Sequence, residues 1–301
     1  MKTIGLWWDQ TIRRLTRTRH GLTAENRLLF LHIPKTAGCS INQFLINRFP
    51  AGQTCLIHPR VGDDVAGLIP ETPLLCYSGH VTYDFTRLLP GNLRVFTLLR
   101  DPVERSLSSY FFYRRSRPED IAESMLPVQH MEMGAFVRNY PKEAEIAFGN
   151  RQVMYFSRPY DYFRQPFANE DHPVTREELG LAKENLSRCL VGLVERIGDA
   201  LTLLSHDFGW PVPDRVAEEN RTVNRPKSVD PAGQAWLMEH TGLDQELYAF
   251  GQQLFLKRWE KLQQDQENAA APKIGPRGRI TLRFDEAIPG YGWSGRDQSH
   301  G

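Results

Sequence analysis

Between residues 28 and 208, short apolar runs alternate with stretches of helical period. Residues 28–33 are apolar without alternation, the pattern of a strand buried on both faces. Pro34 and Gly38 break that run. Ile41, Phe44 and Leu45 then recur at i, i+3, i+4, which predicts a helix. Residues 74–77 and 94–99 read as a second and a third strand, ending at Ser78-Gly79-His80 and Arg100-Asp101-Pro102. A helix is expected directly after Arg100. Asp101 suits its N-cap, Pro102 its first position, and Glu104 completes a D-x-x-E box. It should run through Leu107, Tyr110 and Phe111 to about Arg115. Further on, 177–188 predicts a helix, 189–194 a fourth buried strand and 199–208 its following helix. Residues 50–72 read as loop with short structure, 160–176 and 211–231 as loops, and 116–145 as helices and loops. A long helical pattern covers 232–263, and beyond it Ile280, Leu282 and Phe284 alternate as one added strand would. Strands alternating with helices predict an α/β fold, a mostly parallel sheet with helices on both faces. The organisation expected is a basic arm over 1–26, one domain over 27–262 and a tail over 263–301.

Composition narrows the class. With 301 residues, 41% hydrophobic and 24% charged, the chain can bury a sizeable core. A formal charge of +1 speaks against a broad nucleic-acid surface. Cys39, Cys55, Cys76 and Cys189 lack metal-ligand spacing and read as reduced thiols, and no other cluster suggests a metal. Residues 1–21 carry Arg13, Arg14, Arg17 and Arg19 but no long apolar run. They read as a solvated arm, and a cytoplasmic protein with no transmembrane segment is expected.

The chemistry gathers at the ends of the predicted strands. After the first one comes His32-Ile-Pro-Lys35-Thr36-Ala37-Gly38-Cys39-Ser40, leading into a helix. The first N–H groups of a helix have no internal partner and its dipole is positive there, so this loop favours an anion. Lys35, Thr36 and Ser40 add a charge and two hydroxyls. The loop is P-loop-like without being a Walker A motif, because its Lys precedes the Gly instead of opening the helix. The second cluster is Arg100-Asp-Pro-Val-Glu-Arg-Ser-Leu-Ser108, which sets an Arg at a strand end and a Ser two turns into the next helix. A guanidinium fork grips phosphate oxygens in pairs. Gly79-His80, at the end of its own strand, is the third.

These three motifs together resemble the PAPS-dependent sulfotransferases, where PAPS is 3′-phosphoadenosine 5′-phosphosulfate. The resemblance is to the carbohydrate, glycosaminoglycan-type branch found in the Golgi, here as a member without an anchor. It covers about residues 27–260. Asn150-Arg-Gln152 and residues 190–195 extend it. Cys39 stands where that branch has Thr. The resemblance implies a sulfotransferase fold and a transfer from PAPS to a hydroxyl, on a glycan or a glycosylated molecule, with no metal required. It also implies roles. Lys35, Thr36, Ala37, Gly38, Cys39 and Ser40 would cradle the 5′-phosphosulfate, with Lys35 also acting on the leaving phosphate. Arg100 and Ser108 would hold the 3′-phosphate, and His80 would be the general base. Arg221 and Thr222, in the Asn- and Arg-rich loop 220–225, would close over the nucleotide. His32 and His58 compete with His80 for the base, although His32 belongs with the strand. Two other functions stay open: a P-loop kinase using ATP and Mg²⁺, and a nucleotide- or glycan-binding relative without catalysis.

Overall fold

The computed structural model describes residues 22, 26–58, 63–164, 173–213 and 226–270. By compactness the chain divides into Met1–Glu260 and Lys261–Gly301. In the second unit the described residues, 261–270, are helical. The expected strand around 280–284 lies outside the described residues, as do most of the N-terminal arm and the 220–225 loop.

Five strands form one sheet: β1 (Asn26–Leu31), β2 (Thr54–Ile57), β3 (Cys76–Gly79), β4 (Asn92–Leu99) and β5 (Leu190–Leu193). Their order is β2-β3-β1-β4-β5, and each pairing is parallel. The α/β reading therefore holds, with the first strand at the centre. Leu28, Leu29, Phe30 and Leu31 are all fully buried, as a strand covered on both faces requires. Phe30 packs against Phe96 across the β1–β4 pairing. All the strands point the same way, so the loops after β3, β1 and β4 leave one edge side by side, where open α/β sheets bind ligands.

The helices follow the strands. They are α1 (Gly38–Ile46), α2 (Pro102–Arg115), α3 (Met133–Asn139), α4 (Pro141–Phe148), α5 (Arg151–Ser157), α6 (Arg176–Ser187), α7 (Ile197–Phe208), α8 (Pro231–His240) and α9 (Gly242–Ala270). The expected cap of α2 forms, the Asp101 carboxylate accepting from the Glu104 N–H at 2.9 Å. Segment 116–145 packs its own apolar side chains together. Met125, Val128, Met133, Phe136 and Val137 join Leu107, Tyr110 and Phe148 in a helical core. Those residues are thus part of the packed interior.

Three elements differ from expectation. Strand β2 arises inside the expected 50–72 loop. Its apolar run, Cys55-Leu56-Ile57, is short, and only Ile57 of this edge strand is buried, too little to read as a strand. Strand β3 lies two residues further along than expected, in register Leu28↔Cys76 through Leu31↔Gly79. The long helix expected over 232–263 is two helices that meet at Thr241 and Gly242, both poor helix formers. The break places Asp244 in the interior beside the start of α5.

Candidate nucleotide and sulfuryl site

The loop after β1 has an unusual backbone. Lys35 (φ 73°) and Ala37 (φ 61°) both lie in the left-handed region that side chains disfavour. Each such residue costs on the order of 1–3 kcal/mol, and such strain collects at ligand clamps. Left-handed turns of this kind also curl N–H groups around a concavity suited to an anion. Ala37 is the residue before α1, so the open N–H groups of that helix sit at the end of the same loop. Inside the loop, the Thr36 hydroxyl donates to the Ile33 carbonyl at 2.8 Å, and Thr36 is fully buried. In this state the Thr36 side chain holds the turn's shape. Ser40 is buried and Cys39 is exposed at the start of α1.

Gly38 has a steric reason. A Cβ on it would stand 1.9 Å from ring atoms of His32. The His32 imidazole therefore fills the floor of the loop and stacks on Phe30. Burial, reinforced by His58 and Lys35, pulls its pKa down to about 3, so it is a neutral ring at pH 7.

Arg100 joins the first loop to the second cluster. Its guanidinium donates to the Lys35 carbonyl at 3.1 Å and lies 3.7 Å from the Glu104 carboxylate. The guanidinium fork has five donors, enough to hold a loop carbonyl and grip phosphate oxygens. The backbone of Arg100 is clamped as well. The Gln152 amide accepts from the Arg100 N–H at 3.0 Å and donates to its carbonyl at 2.9 Å. Ser108 is half-buried on α2. One turn on is Phe112, on the same helix face, and the Lys35 ammonium rests 4.1 Å from the centre of its ring. Burial first, then the like charges of Arg115 and Arg100, lower the Lys35 pKa from 10.5 to about 8, with Cys39 opposing.

Gly79 and His80 end β3. A Cβ on Gly79 would come within 2.2 Å of the Ile57 carbonyl, so only glycine lets β3 run this close to β2. The His80 N–H continues the ladder to that carbonyl at 3.2 Å, which fixes where its side chain starts. The His80 ring is half-buried. It lies 4.3 Å, centre to centre, from His32 and 5.4 Å from His58.

No protein-family model and no curated protein matches this chain. A solved structure does. It is the mouse sulfotransferase SULT7A1 complexed with PAP, 16% identical, with a TM-score of 0.32 over 65% of this chain and 62% of that one. The chain thus spans less than two thirds of that protein's length.

The residues expected from sequence stand as follows. Lys35, Thr36, Ala37, Gly38, Cys39 and Ser40 form one loop and helix start, Arg100 is bonded to that loop, and His80 leaves the neighbouring strand. Arg221 and Thr222 lie outside the described residues. Sequence reasoning missed the support behind Arg100. The fully buried Asp244 carboxylate accepts from the Gln152 and Val153 N–H groups at 3.0 and 2.8 Å, capping α5. The Asp244 N–H in turn donates to the Asn150 side chain at 2.8 Å. Arg105, also fully buried, stands 4.0 Å from Asp244 and donates to the Ala147, Phe148 and Gly149 carbonyls. Burial pushes the Asp244 carboxyl up, against the pull of Arg105. A polar Asp in a helical stretch was the one available signal.

Proposed function

We propose that this protein is a PAPS-dependent sulfotransferase that moves a sulfuryl group to an acceptor hydroxyl on a glycan or glycosylated molecule. The observation that carries the reading is the bond from the Arg100 guanidinium to the Lys35 carbonyl, at 3.1 Å, beside the strand that delivers His80. Two anion-binding elements and one imidazole thereby share one edge of the sheet. A nucleotide with phosphates at both its 3′ and 5′ positions matches two such elements. The Lys35 to Ser40 loop would take the 5′-phosphosulfate, and Arg100 with Ser108 the 3′-phosphate. His80 would take the proton from the acceptor hydroxyl as its oxygen attacks sulfur in line. Lys35 would face the bridging oxygen, where negative charge grows as the bond to sulfur breaks. An ammonium there stabilises the transition state more than the ground state.

The test is transfer of labelled sulfate from PAPS to a glycan library, by the parent protein and by His80→Ala. Transfer by the parent is expected. The variant should lose it while binding adenosine 3′,5′-bisphosphate almost as well. Full activity in His80→Ala would remove His80 as base. Binding of ATP with Mg²⁺ in preference to the bisphosphate would favour phosphoryl transfer and defeat the reading.

A further inference from the structure

Three neighbouring strands, β2, β3 and β1, each lead into a histidine at the same edge: His58, His80 and His32. They form a row graded by exposure. His32 is buried, His80 half-buried and His58 exposed. The inner ring is held neutral and cannot take up a proton at physiological pH. The outer ring meets water. Its centre is 5.4 Å from that of His80 and its plane nearly perpendicular, at 84°. One hydrogen bond or one bridging water closes that spacing, and the torsion that turns an imidazole is broad.

We propose that His58 is a positioning and proton-relay residue for His80, so that the base of this site is a pair of imidazoles. The proposal rests on the sulfuryl-transfer reading. The proton balance is complete. The acceptor O–H gives its proton to His80 while oxygen bonds to sulfur and the sulfur–phosphate oxygen bond breaks. The His80 imidazolium passes a proton to His58, and His58 releases it to water. An acceptor seated against His80 screens that ring from solvent, and His58 then provides the exit. His80 has the rings of His32, from the end of β1, and His58, from the end of β2, beside it, and Lys35 acts on His32 from the loop above.

The test uses the full chain and needs no identified glycan. Transfer of labelled sulfate from PAPS to the glycan library is measured for the parent and for His58→Gln, with and without added imidazole. We expect His58→Gln to lower kcat about tenfold or more with KM for PAPS unchanged, and added imidazole to restore it. An unchanged kcat, a raised KM for PAPS, or a loss that imidazole does not rescue would each overturn the relay. A parent protein that neither binds adenosine 3′,5′-bisphosphate nor transfers sulfate would defeat the sulfuryl-transfer reading itself, and the relay with it.

Discussion

In the proposed transfer Lys35 meets the leaving phosphate, and its environment is unfavourable for a cation. Burial and two neighbouring guanidinium groups bring its pKa to about 8. An anion in the loop reverses that by favouring the ammonium. Binding of adenosine 3′,5′-bisphosphate should therefore take up a proton once the pH exceeds about 8, where the free protein has lost it. The affinity should fall as pH rises from there towards the higher pKa of the complex. Calorimetry in buffers of different ionisation enthalpy reads this uptake directly, and no uptake near pH 8.5 would mean that the phosphate does not meet Lys35. Lys35→Met should lower turnover by roughly 10²–10³, the cost typical of removing one donor to a developing charge. At this scale the sequence was informative. Lys35, Gly38 and Arg100 announce themselves because loop, cap and strand end are local. That His32 is the ring filling the space above Gly38 was hidden, since nothing in spacing tells which way a strand-end side chain turns.

Elements fix how far the site can deform. The floor of the β1–α1 loop is a ring packed where a methyl group would stand, so Gly38→Ala forces either His32 or the loop to move. The substitution should cost roughly 1–3 kcal/mol in denaturant unfolding, as overpacking does. In a His32→Ala background it should cost less than half as much. Equal costs in both backgrounds would show that the two residues do not compete for that space. The Gln152 clamp from α5 is the second device. Gln152→Leu strips both partners from the Arg100 peptide, a loss of about 1–3 kcal/mol for groups left unsatisfied. Affinity for adenosine 3′,5′-bisphosphate should drop roughly tenfold or more, while that for adenosine 5′-monophosphate changes little. A uniform drop for both ligands would separate Arg100 from the 3′-phosphate. The Asn-Arg-Gln run stood out in the sequence, yet its job did not. The clamp spans 52 residues, and no local pattern encodes a contact of that reach.

Across the whole molecule the parallel sheet order brings the motifs together, and a buried ion pair whose acid is remote in sequence braces one of them. Asp244, 92 residues beyond Gln152, caps the helix that clamps Arg100 and stands opposite Arg105. Asp244→Ala leaves a buried guanidinium without its counter-charge and should cost about 3–5 kcal/mol in urea unfolding. A loss below about 1 kcal/mol would mean that the carbonyls around Arg105 already compensate it. The alternation of strands and helices made the fold class readable. The edge strand β2 and the break at Thr241 were not, because burial and packing decide them rather than any periodicity. The most direct test of the central claim is a crystal structure of the protein soaked with adenosine 3′,5′-bisphosphate. We expect the 5′-phosphate in the Lys35–Ser40 loop, the 3′-phosphate on Arg100 and Ser108, and the His80 ring facing the place where sulfur would sit. A nucleotide bound away from these two strand ends, or a His80 ring turned from it, would contradict the account.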